Sequence, residues 1–230
     1  MKLLTIDTST STCSVSLTIG ERVVSEILLN LEKTLASRLL RSVDAALGEA
    51  GLAVSDLDGI GVALGPGSFT GLRIGIATVK GLALAARKPV AGFSSLAMLA
   101  MNIPWAAHRV CPMFDAKKKE IYTALYSCRE LPEPVIADCV VSPGVFLKGL
   151  DGFTIFVGEG ALVYRELIVA NLGERALFAP SSAQQPRASQ GAVLARRAFA
   201  RGEIIPLAAL VPRYIRASEA ELAKMKRGIV

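Results

Sequence analysis

The spacing with the clearest chemical suggestion is GPGSFTGLRIGIATVKG, residues 65–81, where glycine recurs at positions 65, 67, 71, 75 and 81 of a stretch that otherwise reads as helix. Glycines ahead of a helix can bring backbone amides against a phosphate. A Walker-type loop, however, needs GxxxxGK followed by Ser or Thr, and Leu72 stands where the lysine belongs. A dinucleotide fingerprint would need glycine in place of Thr70. Other reactive groups are sparse. His108 is the only histidine, so no two-histidine metal site can form, and no serine has a general base signalled beside it. The four cysteines, Cys13, Cys111, Cys128 and Cys139, form no CxxC pair and sit in apolar company, as buried thiols of a reducing cytoplasm do.

The elements around the glycine stretch follow from hydropathy. Apolar residues make up 52% of the 230-residue chain and charged ones 20%, which fits a globular protein and excludes a disordered one. Residues 89–107 carry no charge over a membrane-like length, but Pro89, Gly92, Asn102 and Pro104 suit a strand, turn and short helix better, so no membrane association is expected. Residues 3–9, 13–19 and 22–29 read as an antiparallel meander. A helix over 33–50 follows, with Leu35, Leu39, Leu40, Val43 and Leu47 on one face. Then come an apolar strand at 59–64, a helix at 71–86, a strand at 88–93 and a helix at 94–101. From Pro104 the order restarts: strands at 109–115, 120–128 and 133–141, a helix near 143–150, a strand at 152–158 and a helical stretch at 161–173. Helices at 189–201 and 218–227 close the chain. Two α/β halves of this kind, with antiparallel strands before parallel ones, are the actin and hexokinase type of architecture; residues 1–103 form the first lobe and 104–230 the second.

In the second helix Leu72, Ile76, Val79 and Leu82 cover much of the circumference, while Gly71, Gly75, Thr78 and Ala85 line another side; Arg73 and Lys80 are its only charges before Arg87. A helix apolar nearly all round must be covered on more than one side, and small residues admit another helix closely. The expected covering is a partner, met by Leu35, Leu39 and Val43 of the first helix and by Leu72, Arg73, Ile76, Val79 and Lys80 of the second. The net charge of +6 is compatible with an RNA partner, although no aromatic residues alternate with the basic ones.

The segments LTIDTSTSTCSVSL, ALGPGSFTGLRIGIATVKGLALA, PVAGFSSLAMLA and FDAKKKEIYTALY closely resemble the bacterial TsaB family, also called YeaZ, and VPRYIR resembles that family's closing strand. The resemblance implies a two-lobed actin-like ATPase fold of the ribonuclease H-like kind with mixed sheets. It implies a cytoplasmic dimerisation and scaffold subunit, not itself an enzyme, of a complex that transfers a threonylcarbamoyl group to the adenosine next to the anticodon in tRNAs reading codons that begin with A. The implied partners are a TsaD-type catalytic paralogue, a TsaE-type small ATPase, tRNA through the complex and, in isolation, a second copy. ATP or ADP and a metal are expected on the partner subunits, and none on this chain. The paralogue's metal-binding histidine pair aligns with Ser95 and Leu99, and leucine cannot hold a metal. Of the two phosphate loops of actin-like ATPases, the first is partly kept as Asp7, Thr8 and Ser9; the second, near Asp115, lacks glycine; Gly158 and Gly160 could cradle adenine. The alternative is an independent ATPase or small-molecule kinase of the same fold.

Overall fold

The computed structural model describes residues 1–30 and 35–216, with only the backbone of residues 35 and 36. In chain order the elements are β1 (Lys2–Asp7), β2 (Thr12–Ile19), β3 (Arg22–Asn30), α1 (Leu35–Gly48), β4 (Gly59–Gly65), α2 (Phe69–Ala86), β5 (Val90–Ser94), α3 (Ser95–Ala100), β6 (Arg109–Lys117), β7 (Glu120–Cys128), β8 (Pro132–Val141), α4 (Pro143–Lys148), β9 (Thr154–Val157), α5 (Glu159–Val163), α6 (Arg165–Leu172), β10 (Ala176–Phe178) and α7 (Ala188–Ala200). The expected helix at 218–227 lies outside the described residues.

Two five-stranded sheets form, ordered β3-β2-β1-β4-β5 and β10-β9-β6-β7-β8. Read from the middle outwards, each has a first strand flanked by an antiparallel neighbour on one side and a parallel one on the other. The alternation along each strand decides what covers each face. In β2, Cys13, Val15 and Leu17 join Leu4 and Ile6 of β1 under Leu39, Val43 and Leu47 of α1 and Ile76 and Val79 of α2. The opposite face of the sheet is covered by α7, whose Ala192, Ala195 and Ala198 pack with Leu3, Ala63 and Ala91. There hydroxyls of β1 and β2 lie buried: Ser14 Oγ accepts from the amide of Ala188 at 2.8 Å, while the Thr5, Ser16 and Thr18 hydroxyls find no partner among the described residues. The small side chains of α7 let it lie close, so that a Cβ at Gly61 would collide with Ala195 at 2.7 Å.

The second sheet follows the same rule. Val110, Phe114, Tyr122 and Tyr126 pack with Leu96 and Leu99 of α3, and Cys111, Met113, Ile121 and Leu125 with Phe146, Leu147, Ile168 and Leu172 of α4 and α6. So α3 follows the first sheet in the chain yet covers the second, and α7 follows the second yet covers the first. This exchange binds the halves together. It is reinforced by Asn102, whose side-chain amide donates to the carbonyls of Ala183 and Gln185 at 2.7 and 2.8 Å, and by Asp138, which accepts from Ser94 and Tyr126 at 2.7 Å each.

Two expectations need correction. Residues 211–216 form no strand: their backbone makes one bond to the first sheet, at the end of β4, from the amide of Arg213 to the carbonyl of Leu64 at 2.7 Å. The helical stretch at 161–173 is two helices, α5 and α6, broken at Tyr164.

Candidate functional site

A cleft of about 450 Å³ opens between the two sheets. One wall is the β1–β2 turn (Ser9, Thr10, Ser11) with the start of α2; the other is Phe114, Asp115, Lys117, Tyr122 and Glu159, and Arg216 reaches its edge. This is where an actin-like ATPase would hold a nucleotide, so the local geometry on each wall decides what the site can do.

The glycine stretch serves the first wall. Ser68 caps α2, its hydroxyl accepting from the amide of Gly71 at 3.2 Å, and its own amide donates to the carbonyl of Ser9 at 2.7 Å. The β1–β2 turn then lies directly on the helix. A Cβ at Gly67 would overlap the Ser9 carbonyl, one at Gly71 the Thr8 carbonyl, and one at Gly75 the Thr8 hydroxyl, each under 3.0 Å. The small-residue side of α2, expected to face a partner helix, is therefore filled by the chain's own turn at Gly71 and Gly75. Thr8 completes the fastening, its hydroxyl donating to the carbonyl of Gly71 at 2.8 Å.

Asp7, Thr8 and Ser9 come together as expected but are turned inward, at 0%, 2% and 1% exposure. One Asp7 oxygen accepts from the amide of Ser9 at 3.0 Å; the other, like the Ser9 hydroxyl, has no partner among the described residues. Burial pushes the Asp7 carboxyl up from 3.8 to about 6, the bond from the Ser9 amide opposing the rise. Across the cleft, Asp115 binds the amide of Lys117 at 2.9 Å and its ammonium at 2.8 Å. Burial also raises the Glu159 carboxyl, against the attraction of Lys117. Gly158 and Gly160 touch no ligand space: a Cβ at either would strike the backbone of Met113 or Phe114. Ser95 and Leu99 are both buried on α3, Leu99 in the second core.

Taken together, these residues do not fit a magnesium nucleotide. The hydroxyls that would meet phosphate are committed to α2 or buried, the Lys117 ammonium on the facing wall is held by Asp115, and among the described residues no cluster of three His, Cys, Asp or Glu could hold a metal ion.

The expected partner surface also needs correction. Leu39, Val43, Leu72, Ile76 and Val79 are at most 4% exposed; all but Leu72 belong to the first sheet's own core cluster. Only Arg73 and Lys80 reach the surface, and the side chain of Leu35 lies outside the described residues. What α1 and α2 do expose is Leu40 at 50% and Leu84 at 72%, with Ala77, Gly81 and Ala85 along the same outer side of α2. Sequence reasoning passes over Leu84, although its spacing from Ala77 and Gly81 marks the stripe; Tyr122 and Arg216 lie within FDAKKKEIYTALY and VPRYIR, but only the fold brings them together at the cleft.

Comparison with known proteins identifies the family. Residues 23–224 match the family described as TsaD, tRNA N6-adenosine threonylcarbamoyltransferase. The tRNA threonylcarbamoyladenosine biosynthesis protein TsaB of Bacillus subtilis is 33% identical over 96% of both chains. The solved structure of YeaZ from Pseudomonas aeruginosa is 34% identical, with a TM-score of 0.81 over 93% of this chain and 99% of that one. The ROK hexokinase of Thermus thermophilus, at 13% identity and a TM-score of 0.52 over 88% of this chain and all of that one, shares the fold alone. The fold is thus the two-lobed actin-like one, and the chain belongs to the TsaB family.

Proposed function

We propose that this chain is the non-catalytic dimerisation and scaffold subunit of the cytoplasmic complex that places a threonylcarbamoyl group on the adenosine next to the anticodon of tRNAs reading codons that begin with A. The observation that carries the reading is the state of the cleft in a chain with TsaB relatives: the Thr8 hydroxyl and the carbonyls of Thr8 and Ser9 are spent on seating the turn against Gly67, Gly71 and Gly75. Chemistry then belongs to a TsaD-type paralogue, with nucleotide and metal on it and on a TsaE-type ATPase. This chain docks through the outer side of α1 and α2, where Leu40 and Leu84 are exposed and, among the described residues, nothing beyond its own helix lies within 4 Å of a Cβ at Gly81. The same side makes the homodimer when the paralogue is absent.

The test is co-elution of the chain with its TsaD-type paralogue. Leu84→Glu with Leu40→Glu is expected to leave the circular dichroism spectrum intact and abolish co-elution. Co-elution of the double variant removes this docking face. One observation favours the second reading, an independent ATPase or small-molecule kinase: Asp7 keeps an unpartnered buried oxygen. Calorimetry with millimolar Mg-ATP decides it, since absence of heat sinks that reading.

A further inference from the structure

The β6–β7 hairpin turns at Lys117, Lys118 and Lys119, and all three have left-handed backbones, with φ of 61°, 54° and 62°. Lys117 pairs with Glu120, so Lys118 and Lys119 form a two-residue loop of the type I′ pattern, for which Asn-Gly is the least strained sequence. Three consecutive side-chain-bearing residues in this region are costly, and such strain concentrates where a site needs particular side chains. Here those side chains are three exposed ammonium groups.

They do not stand alone. Lys117 and Arg216 border the same cleft beside Tyr122, and Arg216, Tyr214 and Arg213 border a shallow recess that adjoins it. From there the hydroxyl of Tyr214 accepts from Arg73 Nε at 2.8 Å. Among the described residues, the acidic groups on this path are Asp115, held by Lys117, Glu120, 2.9 Å from Arg216, and Glu159. Among those residues, six cations against three carboxylates leave the rim positive. The cations are spread along a rim and do not converge on one buried point, which suits a polyanion strand better than a single phosphate.

We infer that this rim, from the Lys117–Lys119 turn past Arg216 and Arg213 to Arg73, is the surface by which the chain holds the phosphodiester backbone of RNA. The inference rests on the tRNA-modifying role proposed above, and it assigns this chain a direct part in gripping the substrate. The grip is through charge, with no reading of bases.

The test is fluorescence anisotropy of an end-labelled, unmodified tRNA transcript titrated with the full chain from 50 to 300 mM KCl. The variant is Lys118→Asn with Lys119→Gly, which removes two charges and relaxes the turn. It is expected to flatten the dependence of log affinity on log salt by about 1.4–1.8, to weaken binding about 10-fold or more at 100 mM KCl, and to raise the melting temperature by about 2–6 °C. Lys148→Ala, at an exposed lysine on α4 that does not border the cleft, is expected to change neither. An unchanged salt slope in the turn variant, an equal loss with Lys148→Ala, or equally tight binding of poly-glutamate overturns the inference. Failure of co-elution with the paralogue while the slope still falls removes the proposed function and leaves this surface standing.

Discussion

Replacing Gly71 by alanine asks whether the glycines of α2 exist for the chain's own turn. A helix-interior Gly→Ala change by itself stabilises by about 0.8–1.0 kcal/mol. At Gly71, however, the new Cβ would fall under 3.0 Å from the carbonyl oxygen of Thr8, a backbone atom that cannot swing aside. Its turn is pinned by the Thr8 hydroxyl on Gly71 and by the Ser68–Ser9 bond, so relief means moving both. Overpacking of this kind costs about 1–3 kcal/mol, toward the upper end when backbone must move. The net expectation is a loss of about 1–2 kcal/mol, or about 2–8 °C in melting temperature for a chain this size. Gly81→Ala, ten residues along the same helix, meets nothing within 4 Å and is expected to gain up to about 1 kcal/mol. Urea unfolding followed by far-ultraviolet circular dichroism measures both on the isolated chain. If Gly71→Ala is as stable as Gly81→Ala, the turn does not need the glycine and the reasoning fails.

Further expectations follow from burial. Asp7 is harder to ionise folded than unfolded, so its contribution to stability is fullest below 3.8, is lost as pH rises toward about 6, and stays lost above it. Asp7→Asn keeps an acceptor for the Ser9 amide and is expected to match the parent near pH 3.5 and exceed it by up to about 3 kcal/mol at pH 7; equal stability at both pH values contradicts this. Leu39→Glu and Ile76→Glu place a charge in the first core and are expected to unfold the chain, whereas Leu84→Glu leaves its melting temperature within about 2 °C; a folded Leu39→Glu protein would show that the burial is misread. Burial pushes the thiols of Cys13 up to about 11 and of Cys111 and Cys128 up to about 12. A disulfide reagent at pH 8 is therefore expected to reach only the half-buried Cys139 before unfolding, and rapid reaction of a second thiol refutes this.

Much of this architecture is legible in the sequence because periodicity reports burial. The alternation in β2 and the heptad-like leucines of α1 placed those elements within a residue or two. Periodicity does not say what does the burying. The stripe of Leu39, Val43, Ile76 and Val79 is apolar because the chain's own sheet lies against it, while the outward stripe of Ala77, Gly81 and Leu84 is too mixed to stand out. The exchange of α3 and α7 between the sheets was hidden for a similar reason: Ala188, Gly191, Ala192 and Ala195 mark a small-residue face without naming the sheet it meets. β10, only three residues long, carries too little alternation to register. At the site, the motif around Gly71 was found, but its purpose depends on contacts with Thr8 and Ser9 some sixty residues away.

The most direct test of the scaffold role is reconstitution. A TsaD-type paralogue, a TsaE-type ATPase, threonylcarbamoyl adenylate and unmodified tRNA are combined with and without this chain, and the product nucleoside is measured by mass spectrometry. Modification is expected only when the chain is present, retained with Asp7→Asn and lost with Leu40→Glu plus Leu84→Glu. Equal modification without the chain, or loss with Asp7→Asn alone, contradicts a non-catalytic scaffold.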